Sequence, residues 1–435
     1  MIKNYPPKIF CLIVFGSLTL NAQTRILHID SLSLKNATNI ALQSQPIIKS
    51  AAANYNLAHS NLRLSRSNYF PQITLTGSAS RTEGAFVFNP SFPPRQQQYN
   101  NYAAGIQVQQ NLFDFGRTIN TVSADEQYLD ASDYDMKAAK ENVIMNVQIN
   151  YYSYLESQYI ERVNEETLNQ AEEHLKIANA FYKVGSRPEY DVTSAQVEVA
   201  NANLNLIMAK NQVKIVRLQL NNSMGVYIPE EYTTTDSLKI SIETFSLDSI
   251  KAIAVSNRSE LKSSYLILSA GKSLISAAWD QNLPILSAFG NYNWSGFNLP
   301  LYSRWNAGIN FTLPIFQGFY VSAQVQRAEA NVEQAEAEVE ILKQSILLDV
   351  EQNYLSLIEA ENRIDAAKQL VIQAEENFNL ATGRYKSGVG SATEITDAQV
   401  TLANAKTTNI QAIYDYLTAL IRLKKSMGII IDTVE

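Results

Sequence analysis

Side chains able to make or break bonds are sparse along this chain. The three histidines, His28, His59 and His174, are far apart, and His174 stands in Glu172-Glu173-His174, which reads as a solvated helix face rather than a ligand set. The single cysteine is Cys11, and no HExxH, P-loop or G-x-S-x-G pattern occurs. Acid–base, nucleophilic and metal chemistry therefore have no constellation to work with, and neither an enzyme nor a cofactor is expected. Carboxylates remain. Glu394 and Asp397 are three positions apart, so on a helix both project from one face. Like charges held close repel one another and respond to pH and cations. Equally, Ser391-x-x-Glu394 is a capping box, and acids in a first helical turn are ordinary dipole partners.

The elements that must carry these residues are defined by an internal duplication. Tyr182-Lys183-x-Gly185 returns as Tyr385-Lys386-x-Gly388, and Ala195-Gln196-Val197 as Ala398-Gln399-Val400, all 203 positions on. Earlier in the chain the offset is 213, as from Pro71 to Pro284, so the first copy carries ten extra residues, which fall in Arg81 to Asn100. Each copy holds a run free of glycine and proline, 68 residues from Arg117 to Val184 and 64 from Phe319 to Thr382. Such runs predict helices of roughly 100 Å, and their apolar residues recur at three- and four-residue spacing in the manner of coiled coils. Shorter helices return along them.

Period-two alternation marks strands at one end, in Gln72 to Ser80, Ile106 to Gln109, Leu286 to Trp294 and Ile309 to Leu313. One face is apolar and the other carries Gln, Asn, Thr and Ser, which suits a strand between lipid and a watery lumen. Trp279, Trp294 and Trp305, with Tyr69, Phe70, Tyr102, Phe113, Tyr292, Tyr302 and Phe316, supply interfacial aromatic girdles. A soluble four-stranded sheet with an aromatic core is the alternative. Four strands cannot close a spanning barrel, and an open edge is forbidden in hydrocarbon, so several chains must pool their strands.

The N-terminus reads as an export signal: basic Lys3 and Lys8, an apolar core from Ile9 to Leu20, and cleavage between Ala22 and Gln23. Cys11 leaves with it, which excludes disulfides and thiol chemistry in the mature chain, whose net charge falls from −7 to −9. That acidic balance argues against nucleic acid. The expected organisation is a signal peptide over 1–22 and a first repeat over 23–224, with strands near 70–80 and 102–112 and helices 117–184 and 189–224. A connector follows over 225–247, then a second repeat over 248–428, with strands near 284–295 and 304–315 and helices 319–382 and 391–427. A tail occupies 429–435.

Two sets of segments carry a family resemblance. Asn111-Leu112-Phe113-Asp114-Phe115-Gly116-Arg117 and Leu313-Pro314-Ile315-Phe316-Gln317-Gly318 resemble the strand-to-helix "PLF-x-G-G" signature of the TolC family of outer-membrane efflux proteins, through Phe113, Gly116, Pro314, Phe316 and Gly318. The tips, Tyr182-Lys183-Val184-Gly185 leading to Asp191, and Tyr385-Lys386-Ser387-Gly388 leading to Glu394 and Asp397, resemble the same family. The resemblance covers the mature chain. It implies a mainly α protein built from a duplicated α-β-β-α-α unit, whose homotrimer pools four strands per chain into a twelve-stranded membrane barrel above a helical periplasmic tunnel. It implies passive export across the outer membrane of a Gram-negative-type bacterium, in a tripartite efflux or type I secretion system. The partners would be outer-membrane lipid, a periplasmic membrane-fusion adaptor, and an inner-membrane pump or ABC transporter. Lys183, Val184, Gly185, Lys386, Ser387 and Gly388 would meet the adaptor. Glu394 and Asp397 would ring the periplasmic mouth, and Asp191 would bond Tyr385 to hold it shut. The chain departs from the family in having Gly390 where the second tip commonly has arginine, with Arg187 at the corresponding place in the first tip. That implies a lock either weaker than the family's or rearranged. The competing reading is a periplasmic coiled-coil scaffold with no conducting barrel.

Overall fold

A computed structural model describes residues 30–86, 95–229, 231–235 and 242–431. The export signal, Cys11 and residues 432–435 of the tail lie outside the described residues.

The first copy contains β1 (Ser31–Leu32), α1 (Leu34–Ser44), α2 (Pro46–Arg66), β2 (Gln72–Phe86), β3 (Arg95–Phe113), α3 (Arg117–Lys183) and α4 (Glu189–Met224). After β4 (Thr233–Thr234), the second copy contains α5 (Leu247–Asn257), α6 (Ser259–Trp279), β5 (Ile285–Gly296), β6 (Tyr302–Thr312), α7 (Tyr320–Lys386) and α8 (Ala392–Ser426).

The long helices α3 and α7 have 67 residues each, about 100 Å at 1.5 Å per residue. Composition ended the second at Thr382, before Gly383, yet α7 runs through that glycine to Lys386. A glycine costs a helix only about 1 kcal/mol relative to alanine. Ala381 and Tyr385, buried on either side of it, outweigh that cost. Along α7 the buried residues Val332, Val339 and Ile346, then Ala360, Ala367, Ala374 and Ala381, advance in steps of seven. Toward the tips the seam is alanine on both helices of each hairpin, with Ala171 and Ala178 facing the helix of Ala195 and Ala202. Small side chains let the backbones approach closely there. Nearer the middle it broadens to Val, Ile and Tyr, around Val147, Tyr151, Leu220 and Tyr414.

The shorter returning segments are each broken once. The helical stretch from Leu247 to Trp279 parts at Arg258 into α5 and α6, as α1 and α2 part at Gln45 with Pro46 opening the second. Both breaks have one cause. The Gln45 amide donates to the carbonyls of Asn222 and Ser223 at the end of α4, and the Arg258 guanidinium donates to that of Ser426 at the end of α8 and to Asp349. Each side chain satisfies carbonyls that the neighbouring helix leaves free. The connector holds a further element that alternation did not reveal, because β1 and β4 are two residues each and pair in parallel, Ser31 with Thr233 and Leu32 with Thr234.

The four longer strands form one antiparallel sheet in the order β2-β3-β5-β6. Ile73 lies opposite Val108, Leu75 opposite Ile106, and Tyr292 opposite both Ile106 and Trp305, so one face is a continuous apolar band. The strands of the first hairpin run further than the alternating residues, into the ten-residue excess. There the same face turns polar, with Arg81 donating to Gln98 and Gln98 to Glu83. Among the described residues the outer strands β2 and β6 have no neighbour on their far sides. Among the described residues no helix is long and apolar enough to cross a membrane.

Strand passes to helix through two turns with a shared backbone and a different sequence. Phe115 and Gly116 have φ of 56° and 111°, and Gly318 and Phe319 have φ of 60° and 64°. At the offset of 203 these are the same two positions. Each turn needs two consecutive left-handed residues, and each copy supplies glycine at only one of them.

Candidate functional site

The far ends of the two long hairpins lie against each other. In the first, α3 closes at Lys183 and the chain turns through Val184 and Gly185, φ 74°, to Pro188 and α4. In the second, α7 closes at Lys386 and turns through Ser387 and Gly388, φ 85°. Ser391 then caps α8 by accepting the Glu394 backbone N–H at 3.2 Å.

Tyr385 sits at the centre of this end, fully buried. Its hydroxyl donates to Asp191 Oδ2 across the two hairpins at 3.2 Å. Burial, and then the neighbouring Asp191 carboxylate, push its pKa up to about 12, so it stays a protonated donor. Arg187 lies over the Tyr385 ring, 4.8 Å from its centroid, and donates through Nη2 to the Gly390 carbonyl at 2.6 Å. Arg187 of the first tip thus reaches the backbone of the second tip at Gly390. A side chain at Gly390 would press its Cβ to 2.9 Å from Arg384 Cβ and the Tyr385 nitrogen.

A second group of contacts stands one turn further in. His174 packs edge-on against Tyr385, centroids 5.3 Å apart, and its Nδ1 is 3.0 Å from Glu198 Oε2. The Thr396 hydroxyl lies 3.0 Å from the same carboxylate oxygen and 3.2 Å from the Ala392 carbonyl of its own helix, and its one proton favours the nearer, charged acceptor. His174 is 5% exposed and Glu198 8%, which corrects the reading of Glu172-Glu173-His174 as a solvated face. The signal lay at longer range. His174 is three after Ala171 and four before Ala178, and Glu198 is three after Ala195 and four before Ala202, both seam positions of the alanine coil. Beyond them Gln399 donates to the Thr167 carbonyl and Lys406 pairs with Glu166, again from one hairpin to the other.

The two carboxylates singled out by spacing differ. Glu394 pairs with Arg384 Nε at 3.1 Å, both about half exposed. Asp397 is exposed and has no ion pair among the described residues. Ser391 does form the hydrogen bond expected of a cap, while the Glu394 side chain turns to Arg384. Lys183, Val184, Gly185, Lys386, Ser387 and Gly388 are all exposed. So are Val389 and Tyr190, about 70% each, which sequence reasoning passed over. With Val184 they give the tips an apolar surface. At the other end Phe113, Gly116, Pro314, Phe316 and Gly318 line the two strand-to-helix turns, where Phe113 packs on Phe115 and Phe316 on Phe319.

A family model described as "Outer membrane efflux protein" matches residues 37–226 and 252–429. The chain is similar to the outer membrane protein TolC of Escherichia coli, 22% identical over 423 residues, covering 91% of this chain and 83% of the relative. It is similar to the outer membrane efflux protein BepC of Brucella suis, 22% identical, covering 91% and 85%. Its fold matches the crystal structure of the Campylobacter jejuni CmeC outer membrane channel with a TM-score of 0.80 at 21% identity, over 91% of this chain and 86% of that one.

Proposed function

From the premise that the chain belongs to the outer membrane efflux protein family, we propose how its parts divide the work of an outer-membrane efflux channel whose helical tunnel lies in the periplasm. Three chains join their four-stranded sheets into a twelve-stranded barrel, and their hairpins form the walls of a passive tunnel. The family is one of transport proteins, and no step here needs catalysis. The observation that carries the reading is the pairing of two ends: an apolar-faced sheet with open edges, and, about 100 Å away, helical tips tied together by Tyr385, Asp191 and Arg187. The scaffold alternative leaves the sheet without a role.

The tips are the gate. Tyr385, Asp191 and Arg187 hold the two hairpins of a protomer together, so the mouth opens when the hairpins part. Glu394 and Asp397 from three protomers ring it and attract cations. A periplasmic adaptor meets the tips through Val184, Val389 and Tyr190 and the turns around Gly185 and Gly388, and an inner-membrane transporter supplies the energy and the choice of substrate.

Recording single channels in planar bilayers tests the gate. Tyr385→Phe removes one buried cross-hairpin bond, worth roughly five- to tenfold in the balance of shut and open states, and Arg187→Gln removes the second tie. Each should raise the open fraction, and together more than either. Wild-type conductance in the double variant overturns the gate.

A further inference from the structure

We infer that Glu198, joined by His174 and Thr396, is a second latch on the same mouth, separate from the tie between Tyr385 and Asp191 and built to hold the tunnel shut without holding the fold together. The inference rests on the gate reading above. Glu198 lies on α4, His174 on α3 and Thr396 on α8, so one buried carboxylate oxygen joins both helices of the first hairpin to the second. Only the Thr396 bond crosses between hairpins. Parting them therefore breaks that bond and lifts Tyr385 from the edge of His174.

Two observations separate this group from ordinary packing. The first is its incompleteness. Glu198 Oε2 accepts both bonds, whereas Glu198 Oε1 and His174 Nε2 are buried with no partner among the described residues. A buried polar network left half satisfied is costly, and water reaching it on opening would relieve that cost. A seam selected for stability alone would be filled with apolar side chains, as its neighbours Ala171, Ala178, Ala195 and Ala202 are. The second observation comes from the duplication. At the offset of 203, His174 and Glu198 correspond to Asn377 and Thr401, so the same layer of the second hairpin is built without an ionisable pair. The pair is peculiar to the hairpin that must grip the other through Thr396.

The experiment uses the full-length protein in planar bilayers, with the heat-resistant oligomer on gels as a control for assembly. Thr396→Val keeps the shape and removes the hydroxyl, and Thr396→Ser keeps the hydroxyl. A bond from a hydroxyl to a buried carboxylate predicts a rise in open fraction of about tenfold for Thr396→Val, with Thr396→Ser at the wild-type level. The double variant His174→Asn/Glu198→Thr gives this layer the side chains of the corresponding positions in the second hairpin, Asn377 and Thr401, which are exposed there. It should also open the channel while leaving the oligomer as heat-resistant as before. If Tyr385→Phe opens the channel but Thr396→Val and the double variant do not, the second latch is overturned and the gate stands. If none of them opens it, both readings fall. Equal opening by Thr396→Val and Thr396→Ser also overturns the latch, because the hydroxyl would then be irrelevant.

Discussion

At the scale of residues, close approach decides the tip. Arg384 and Tyr385 leave no room for a side chain at Gly390, and Arg187 of the other turn donates to its carbonyl. The tie at Tyr385 is a neutral hydroxyl giving its proton to a carboxylate, and burial keeps that hydroxyl protonated well above the range where tyrosines ordinarily ionise. The acids at the mouth are unequal for an equally local reason. Glu394 already has Arg384 as counter-charge, whereas Asp397 does not. Asp397→Asn should therefore abolish most of the block by multivalent cations, and Glu394→Gln should change it by less than about threefold, since Arg384 at 3.1 Å already offsets the Glu394 charge. Titrating the blocking ion in single-channel recordings checks this, and equal effects of the two variants would contradict it. Spacing alone placed these acids on one face, but the partner that neutralises one of them comes from the preceding helix.

Among elements, the strand-to-helix turns are the most constrained. The backbone asks for two left-handed residues, and a non-glycine residue there costs roughly 1–2 kcal/mol. Phe115 and Phe319 bear that cost in opposite places. Gly318→Ala meets no steric obstacle, so it should destabilise by about 1 kcal/mol through conformation alone. The exchange Gly318→Phe/Phe319→Gly recreates the order of the first copy and should be tolerated. The temperature at which the oligomer loses its heat resistance distinguishes them, and indifference to Gly318→Ala would remove the argument. Sequence marked these turns by their resemblance to a signature, yet which residues take positive φ emerged only from aligning two folded turns. The long helices were legible from the absence of glycine and proline, and so were their ends to within a residue, except the last of α7, because the packing of Ala381 and Tyr385 carried it past Gly383.

At the scale of the whole molecule, the protomer is incomplete in two ways. The edges of β2 and β6 present backbone groups that hydrocarbon cannot satisfy, each costing several kcal/mol. Tyr102 and Phe113 are eleven residues apart on β3, about 37 Å of strand, which at the usual tilt near 45° spans roughly 26 Å, the height of an outer-membrane apolar band. The helices carry a second unmet need. Beside its buried seam, α7 exposes Ile341, Leu348 and Leu355 at seven-residue steps, between 58% and 66% exposed, a stripe with the period of an interface between chains. Leu348→Lys/Leu355→Lys should dissolve the heat-resistant trimer in mild detergent, and a trimer that persists would place the interface elsewhere. Glycine- and proline-free runs, duplication, period-two strands and three- and four-residue helical spacing were enough to place the long helices and to put the strands at one end, because those patterns are local and repeat. Only the tertiary structure decided that Arg187 binds the Gly390 carbonyl, that His174 and Glu198 are buried together, and that Thr396 reaches them. Those contacts join residues as many as 203 positions apart, and side chains that meet across two hairpins leave no period in the sequence to read.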